Sequence, residues 1–113
     1  MPAHTTHYLF ICAINQNRSR AAERICSQLT QAKNRDIQCE SAGVHPLAIR
    51  PVTKKMADRA DIIFVMEDYM KETLETEFHQ PAEKIICLDI PDIYDVLDPE
   101  LEAILREKLM PYI

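Results

Sequence analysis

The run Asp61-Ile-Ile-Phe-Val-Met66 constrains the fold of this chain more than any other segment. It is continuously apolar, whereas a strand with one wet face alternates polar and apolar residues. A short unbroken apolar run belongs to a strand covered on both faces, which is the situation in a parallel sheet with helices above and below. The rest of the chain supplies the matching parts. Residues 7–12, 37–41 and 84–88 read as further short strands. Between them lie helical spacings: Ala22, Ile25, Leu29 and Ala32 after Arg18; Val52, Met56 and Ala60 from Pro51; Met66, Met70, Leu74 and Phe78 in steps of four. Asp98-Pro99-Glu100 then offers an N-cap, a first-turn proline and a first-turn acid for a last helix burying Leu101, Ile104, Leu105 and Leu109. The order β-α-β-α-β-α-β-α predicts an α/β fold of three layers, a four-stranded parallel sheet flanked by helices. At 113 residues it is one domain, residues 1–113.

In such sheets ligands bind at the carboxyl ends of the strands, which directs attention to residues 12–18, 41–50, 66–69 and 89–95. Glycine limits what can be built there, because the chain has one, Gly43. A dinucleotide fingerprint and a Walker loop both need several glycines and are excluded. Charge narrows the rest. The net charge is −5, yet residues 1–35 carry five bases and one acid, +4, leaving −9 for the remainder. A positive third in an acidic protein points to a local anion site and away from nucleic acid. No apolar run reaches the ~18–20 residues of a membrane span, and no secretory signal is evident, so a cytoplasmic location away from membranes is expected. Cys12, Cys26, Cys39 and Cys87 have neither zinc spacing nor the pattern of a disulfide framework. They are expected to be reduced, with Cys26 and Cys87 as core and Cys39 without a partner in view. His4, His7 and His79 show no ligand spacing, and no metal site is expected.

The first strand runs into Cys12-Ala13-Ile14-Asn15-Gln16-Asn17-Arg18-Ser19, and a helix follows. A loop of this length can turn successive N–H groups inward as an anion nest. The helix N-terminus adds free amides and partial positive charge, and Arg18 can grip two oxygens of a phosphate. Such surroundings stabilise a thiolate, making Cys12 a nucleophile poised beneath a tetrahedral oxyanion. Without glycine, any positive φ in the loop falls to Asn15 or Asn17, since asparagine tolerates that region best. Gly43 sits at the exit of the second strand, beside the same loop. His45 and Arg50 follow it and could reach the anion.

Leu9-Phe-Ile-Cys12-x-x-Asn15-x-x-Arg18-Ser19-x-x-Ala22-Glu23 resembles the low-molecular-weight protein tyrosine phosphatases, a group that includes related arsenate reductases. Ser41-Ala42-Gly43, Ala60–Met66 and Asp92-Ile93-Tyr94 match further family segments in order. The chain would be a compact, shortened member. The resemblance implies a phosphomonoester hydrolase in which Cys12 attacks phosphorus to form a cysteinyl-phosphate. It makes Ala13 to Ser19 the phosphate cradle, with Asn15 holding the loop's shape and Ser19 donating a hydrogen bond to the thiolate. Asp92 would be general acid, with Asp89 and Asp95 as rivals in the same acidic stretch, and Tyr94 would wall the pocket. The implied partners are a phosphotyrosyl protein or a small aryl phosphate, with inorganic phosphate or another oxyanion in the loop and no cofactor. The sequence departs from the family at Ile14, Asn17 and Ile93, where glycine, a redox-guard cysteine and proline are usual. Two alternatives share the scaffold: a non-catalytic phosphate-binding module, and a thiol-dependent arsenate reductase, which needs further cysteines to relay a disulfide.

Overall fold

The computed structural model describes residues 5–113, so His4 lies outside the described residues. Four strands, β1 (Thr6–Cys12), β2 (Ile37–Gly43), β3 (Ile62–Val65) and β4 (Ile85–Cys87), form one sheet in the order β2-β1-β3-β4. Every pairing is parallel. Helices α1 (Arg18–Ala32), α2 (Lys54–Arg59), α3 (Asp68–Thr76) and α4 (Pro99–Leu109) alternate with them. The expected α/β architecture is the observed one.

The run that predicted the sheet lies at its centre. Ile63, Phe64, Val65 and Met66 are buried, as are Leu9, Phe10 and Ile11 of the neighbouring β1. Phe10 and Phe64 stack at 5.0 Å, and Tyr8 and Tyr112 meet Phe64 edge-on at 5.1 and 5.0 Å. Offset and edge contacts of this kind add to the area burial of the rings. Helix α1 buries Ala22, Ile25 and Cys26, and α4 buries Leu101, Leu105 and Leu109, with Ile104 only partly covered. The Asp98 side chain accepts from Glu100 N at 2.8 Å, the cap that the Asp-Pro-Glu signal predicted.

Two expectations are corrected. Helix α2 begins at Lys54 and not at Pro51; Thr53 Oγ1 caps it, accepting from Met56 N. Pro51 is occupied differently, bridging to Gly43 as a one-residue extension of the sheet, with Gly43 N donating to Arg50 O and Val52 N to Gly43 O. The cysteines differ too. Cys26 on α1 and Cys39 on β2 form a disulfide, their Cα atoms 6.3 Å apart, while Cys12 and Cys87 are free. The pair is 13 residues apart in sequence, and only the packing of α1 onto β2 brings it together.

The order 2-1-3-4 reverses the chain's direction across the sheet between β1 and β3. A crevice opens at that point, outside the carboxyl ends of the two strands. β1 ends there on Cys12, in register with Gly43 of β2. Backbone pairing continues past β4: Leu88 N donates to Val65 O and Ile90 N to Met66 O. The intervening Asp89 has φ 55°, a tight left-handed turn that swings residues 90–95 toward the end of β1.

Candidate active site

The segment 12–18 is held from outside by the loop that follows β2. Val44, His45 and Ile49 donate their backbone N–H groups to the carbonyls of Cys12, Ala13 and Ile14 at 3.0, 2.9 and 3.0 Å. In a trans peptide the N–H points opposite to the carbonyl. Carbonyls engaged outward therefore leave amides for the inner side, the arrangement of an anion nest. Helix α1 starts at the end of the loop with no side chain capping it and no acid in its first turn. Cys12, Ala13, Ile14, Gln16, Asn17, Arg18 and Asp92 together line a small cavity of about 50 Å³.

Asn15 takes the positive φ, 57°. Its buried side chain donates from Nδ2 to Ser19 Oγ at 2.8 Å and to Ser41 Oγ at 3.0 Å, and Ser41 donates to Glu23 Oε1 at 2.6 Å. Ser19 Oγ lies 2.9 Å from Cys12 Sγ. One polar chain thus runs from Glu23 to the cysteine sulfur and spans β2, the loop and α1. Because Asn15 occupies both acceptors with one amide group, the loop's turn and the hydroxyl beside the sulfur are set by the same side chain.

The lone glycine serves a close approach rather than an unusual φ. A Cβ at Gly43 would lie 2.6 Å from Ala13 O, 2.7 Å from Ala48 Cβ and 3.0 Å from Asn15 N. Two of these are backbone atoms of the loop and cannot swing aside. Gly43→Ala is expected to lower stability by about 1–3 kcal/mol, the range for overpacking, read as a lower urea midpoint, and to cut activity by displacing the loop. An unchanged midpoint with full activity would show that the contact relaxes freely.

Arg18 is 2% exposed. Its Nη1 donates to Glu67 Oε2 at 2.8 Å and to Ile90 O at 2.6 Å, and its Nε is 3.7 Å from Asp92 Oδ1. A buried guanidinium needs such partners, since an unpaired buried charge costs several kcal/mol. Only its place at the exit of β3 marks Glu67 in the sequence. Asp92 is largely exposed and borders the cavity, whereas Asp89 and Asp95 are not among its lining residues. Tyr94 is half-buried against the core and does not line the cavity either. The aromatic group near the charges is Tyr69, in the first turn of α3. Burial raises its phenol above the ordinary value, Glu67, Cys12 and Asp92 push the same way, and Arg18 opposes them.

His45 and Arg50 do not reach the cavity. His45 Nδ1 accepts from Leu47 N at 3.0 Å, and Arg50 pairs with Glu40 at 2.7 Å. Arg50 lines a neighbouring hollow with Asn15, Arg20, Glu23, Ser41 and Ile49. Cys87 is partly exposed, and burial foremost raises its thiol above the ordinary value. Among the described residues no group of three or more His, Cys, Asp or Glu side chains is placed to hold a metal ion, and no helix is long and apolar enough to cross a membrane.

No family model matches the sequence, and no curated protein matches it. Solved structures do match in shape. The tyrosine phosphatase Wzb from Escherichia coli K30, in complex with phosphate, superposes with a TM-score of 0.79 at 20% identity, covering 96% of this chain and 96% of that one. A low molecular weight protein tyrosine phosphatase from T. tengcongensis gives 0.76 at 20% identity, over 96% and 99%. A YwlE mutant from Bacillus subtilis gives 0.75 at 21% identity, over 95% and 97%; a second YwlE structure, at 20% identity, is of an arginine phosphatase variant with a phosphorylated active-site serine. The chain has the fold of the low molecular weight protein tyrosine phosphatases.

Proposed function

We propose that this chain is a phosphoric monoester hydrolase of the protein tyrosine phosphatase type, acting through a cysteinyl-phosphate on Cys12. The observation that carries the reading is the cavity that places Cys12, Arg18 and Asp92 on one small wall at the sheet's switch point. The phosphate held by the Escherichia coli neighbour and the phosphorylated active-site serine of the arginine phosphatase neighbour fit the same chemistry.

In the first step Cys12 Sγ attacks phosphorus and the P–O bond to the leaving group breaks. Asp92 donates its proton to the departing oxygen. Loop amides and the Arg18 guanidinium hold the three equatorial oxygens as charge spreads over them. In the second step Asp92 takes a proton from water, the water oxygen attacks phosphorus, and Sγ leaves as a thiolate that Ser19 Oγ is near enough to stabilise. The substrate is a phosphotyrosyl protein or a small aryl phosphate. Arsenate reduction is disfavoured because Cys26 and Cys39 are joined to each other, which leaves Cys87 as the one remaining free cysteine to relay a disulfide from Cys12.

The test is hydrolysis of an aryl phosphate by wild type and by Asp92→Asn. The variant is expected to lose about 10²–10⁴-fold in kcat, the range of general acid catalysis, while Asp89→Asn and Asp95→Asn stay within about threefold of wild type. A full-rate Asp92→Asn would remove the acid from its role. A wild type that binds phosphate or vanadate without turnover would make the chain a binding module instead.

A further inference from the structure

Helix α1 and strand β2 are tied together at two neighbouring places. Ser41 Oγ donates to Glu23 Oε1 at 2.6 Å, and Cys39 is bonded to Cys26. Residues three apart on a helix share a face, and so do residues two apart on a strand. Glu23 with Ser41 and Cys26 with Cys39 are therefore successive rungs across one gap. The first rung is the outer end of the polar chain that passes through Asn15 and Ser19 to Cys12 Sγ. The second lies directly behind it.

The two sulfurs are unequally placed. Cys26 is fully buried, whereas Cys39 is partly exposed and lines an open hollow of about 380 Å³ beside Glu23, Gln38 and Arg50. A thiolate entering this hollow meets Cys39 first. Exposed disulfides are the ones that thiols reduce readily. Attack on Cys39 Sγ breaks the S–S bond, leaves the reductant on Cys39 as a mixed disulfide and expels Cys26 as a thiolate, which takes up a proton. The second thiol of a dithiol reductant then displaces Cys39 and closes its own disulfide, so two electrons and two protons pass to the pair. Two thiols cannot sit as close as two bonded sulfurs, and a close-packed interior transmits the difference. The displacement falls one helical turn from Glu23, and the polar rung carries it to Asn15 and Ser19.

We infer that the disulfide between Cys26 and Cys39 is a redox site, opened by dithiols through Cys39, that sets the geometry of the anion loop. Closed, it holds the polar chain behind Cys12 in place; open, it loosens the chain and the cradle together. The effect on oxyanion binding follows from this geometry alone, and the effect on turnover rests on the proposed phosphatase reading.

The experiment equilibrates the Cys12→Ser chain in mixtures of reduced and oxidised dithiothreitol, with and without inorganic phosphate. Alkylation and peptide mass mapping report whether the pair is open, and calorimetry reports phosphate affinity in each state. Opening is expected to weaken phosphate binding by about tenfold, within the ordinary range of coupling between two sites. By linkage, saturating phosphate should make the pair harder to open by the same factor, a shift that a merely structural staple does not show. In wild type, with Cys12 confirmed free by the same alkylation, kcat on an aryl phosphate should fall about tenfold on opening, a loss that a shift of under about 1 Å can produce. Cys26→Ala/Cys39→Ala should show the open-state rate in either mixture; if it does not fold, oxidised and reduced wild type carry the comparison. Equal phosphate affinity in the two states would overturn the inference. So would a pair that stays closed in excess dithiothreitol, a pair already open in thiol-free buffer, or a reduced chain that loses its far-ultraviolet circular dichroism. If phosphate affinity shifts as expected while wild type hydrolyses nothing, the phosphatase reading fails and the redox site stands. No phosphate binding in either state overturns both.

Discussion

Cys12→Ser is expected to abolish aryl phosphate hydrolysis, by at least about 10⁴-fold, the scale on which removal of a covalent nucleophile is felt. The substitution is nearly isosteric. Oγ can take the place of Sγ beside Ser19 Oγ, now 2.9 Å away, and Asn15 still ties Ser19 to Ser41. The fold and the anion cradle should therefore survive, with an unchanged urea midpoint and retained phosphate binding. What is lost is nucleophilicity, because a serine hydroxyl is a weak nucleophile without an adjacent base. Turnover persisting in Cys12→Ser would remove the cysteinyl-phosphate, and a collapsed urea midpoint would show that the sulfur also holds the loop together.

Arg18→Lys is expected to cost about 10³-fold or more in kcat/KM, within the range found when an arginine that stabilises phosphoryl-transfer charge is removed. Charge is conserved in this change, so the loss tests geometry. The guanidinium is planar and can face two phosphate oxygens while its other donors remain engaged. Here Nη1 already serves Glu67 and Ile90 O. These bonds join α1 to the exits of β3 and β4 and hold the plane in one orientation. An ammonium group on a flexible stem cannot satisfy both partners and the substrate from the same position. Inhibition by inorganic phosphate should weaken in parallel, since ground-state oxyanion and transition state use the same fork. A variant within about threefold of wild type in both readouts would reduce Arg18 to a structural ion-pair partner of Glu67.

The parts of the site differ in how far the sequence revealed them. Cys12, Asn15, Arg18 and Ser19 lie within eight consecutive residues, and a strand-loop-helix passage brings them together whatever the rest of the chain does. The positive φ was narrowed to Asn15 or Asn17 because a glycine-free loop has few ways to turn, and the structure uses Asn15. The resemblance favours Asp92 through the Asp92-Ile93-Tyr94 match, with Asp89 and Asp95 as rivals. The spacing of the three does not say which borders the cavity; the left-handed turn at Asp89 and the Ile90–Met66 bond decide that. Glu67 and Tyr69 carry no local signal, because an acid and an aromatic at the start of a helix are ordinary surface residues until β3 lies beside β1. Pro51 has the local signature of a helix start, and its pairing with Gly43 overrides it.

By itself the sequence determined the α/β order, the apolar strand at the centre, the capped last helix and the loop that joins Cys12 to Arg18, since each depends on periodicity or spacing over a few residues. The sheet order, the disulfide between α1 and β2, the clamp of residues 44–49 on the loop and the partners of Arg18 were decided by tertiary structure alone. Each joins segments far apart in the chain, and such contacts form only when strands share one sheet and their carboxyl ends face a common crevice. Gly43 belongs to both accounts. Its scarcity excluded glycine-rich sites at once, but the reason for its place is the 2.6 Å that a Cβ there would leave to the carbonyl of Ala13.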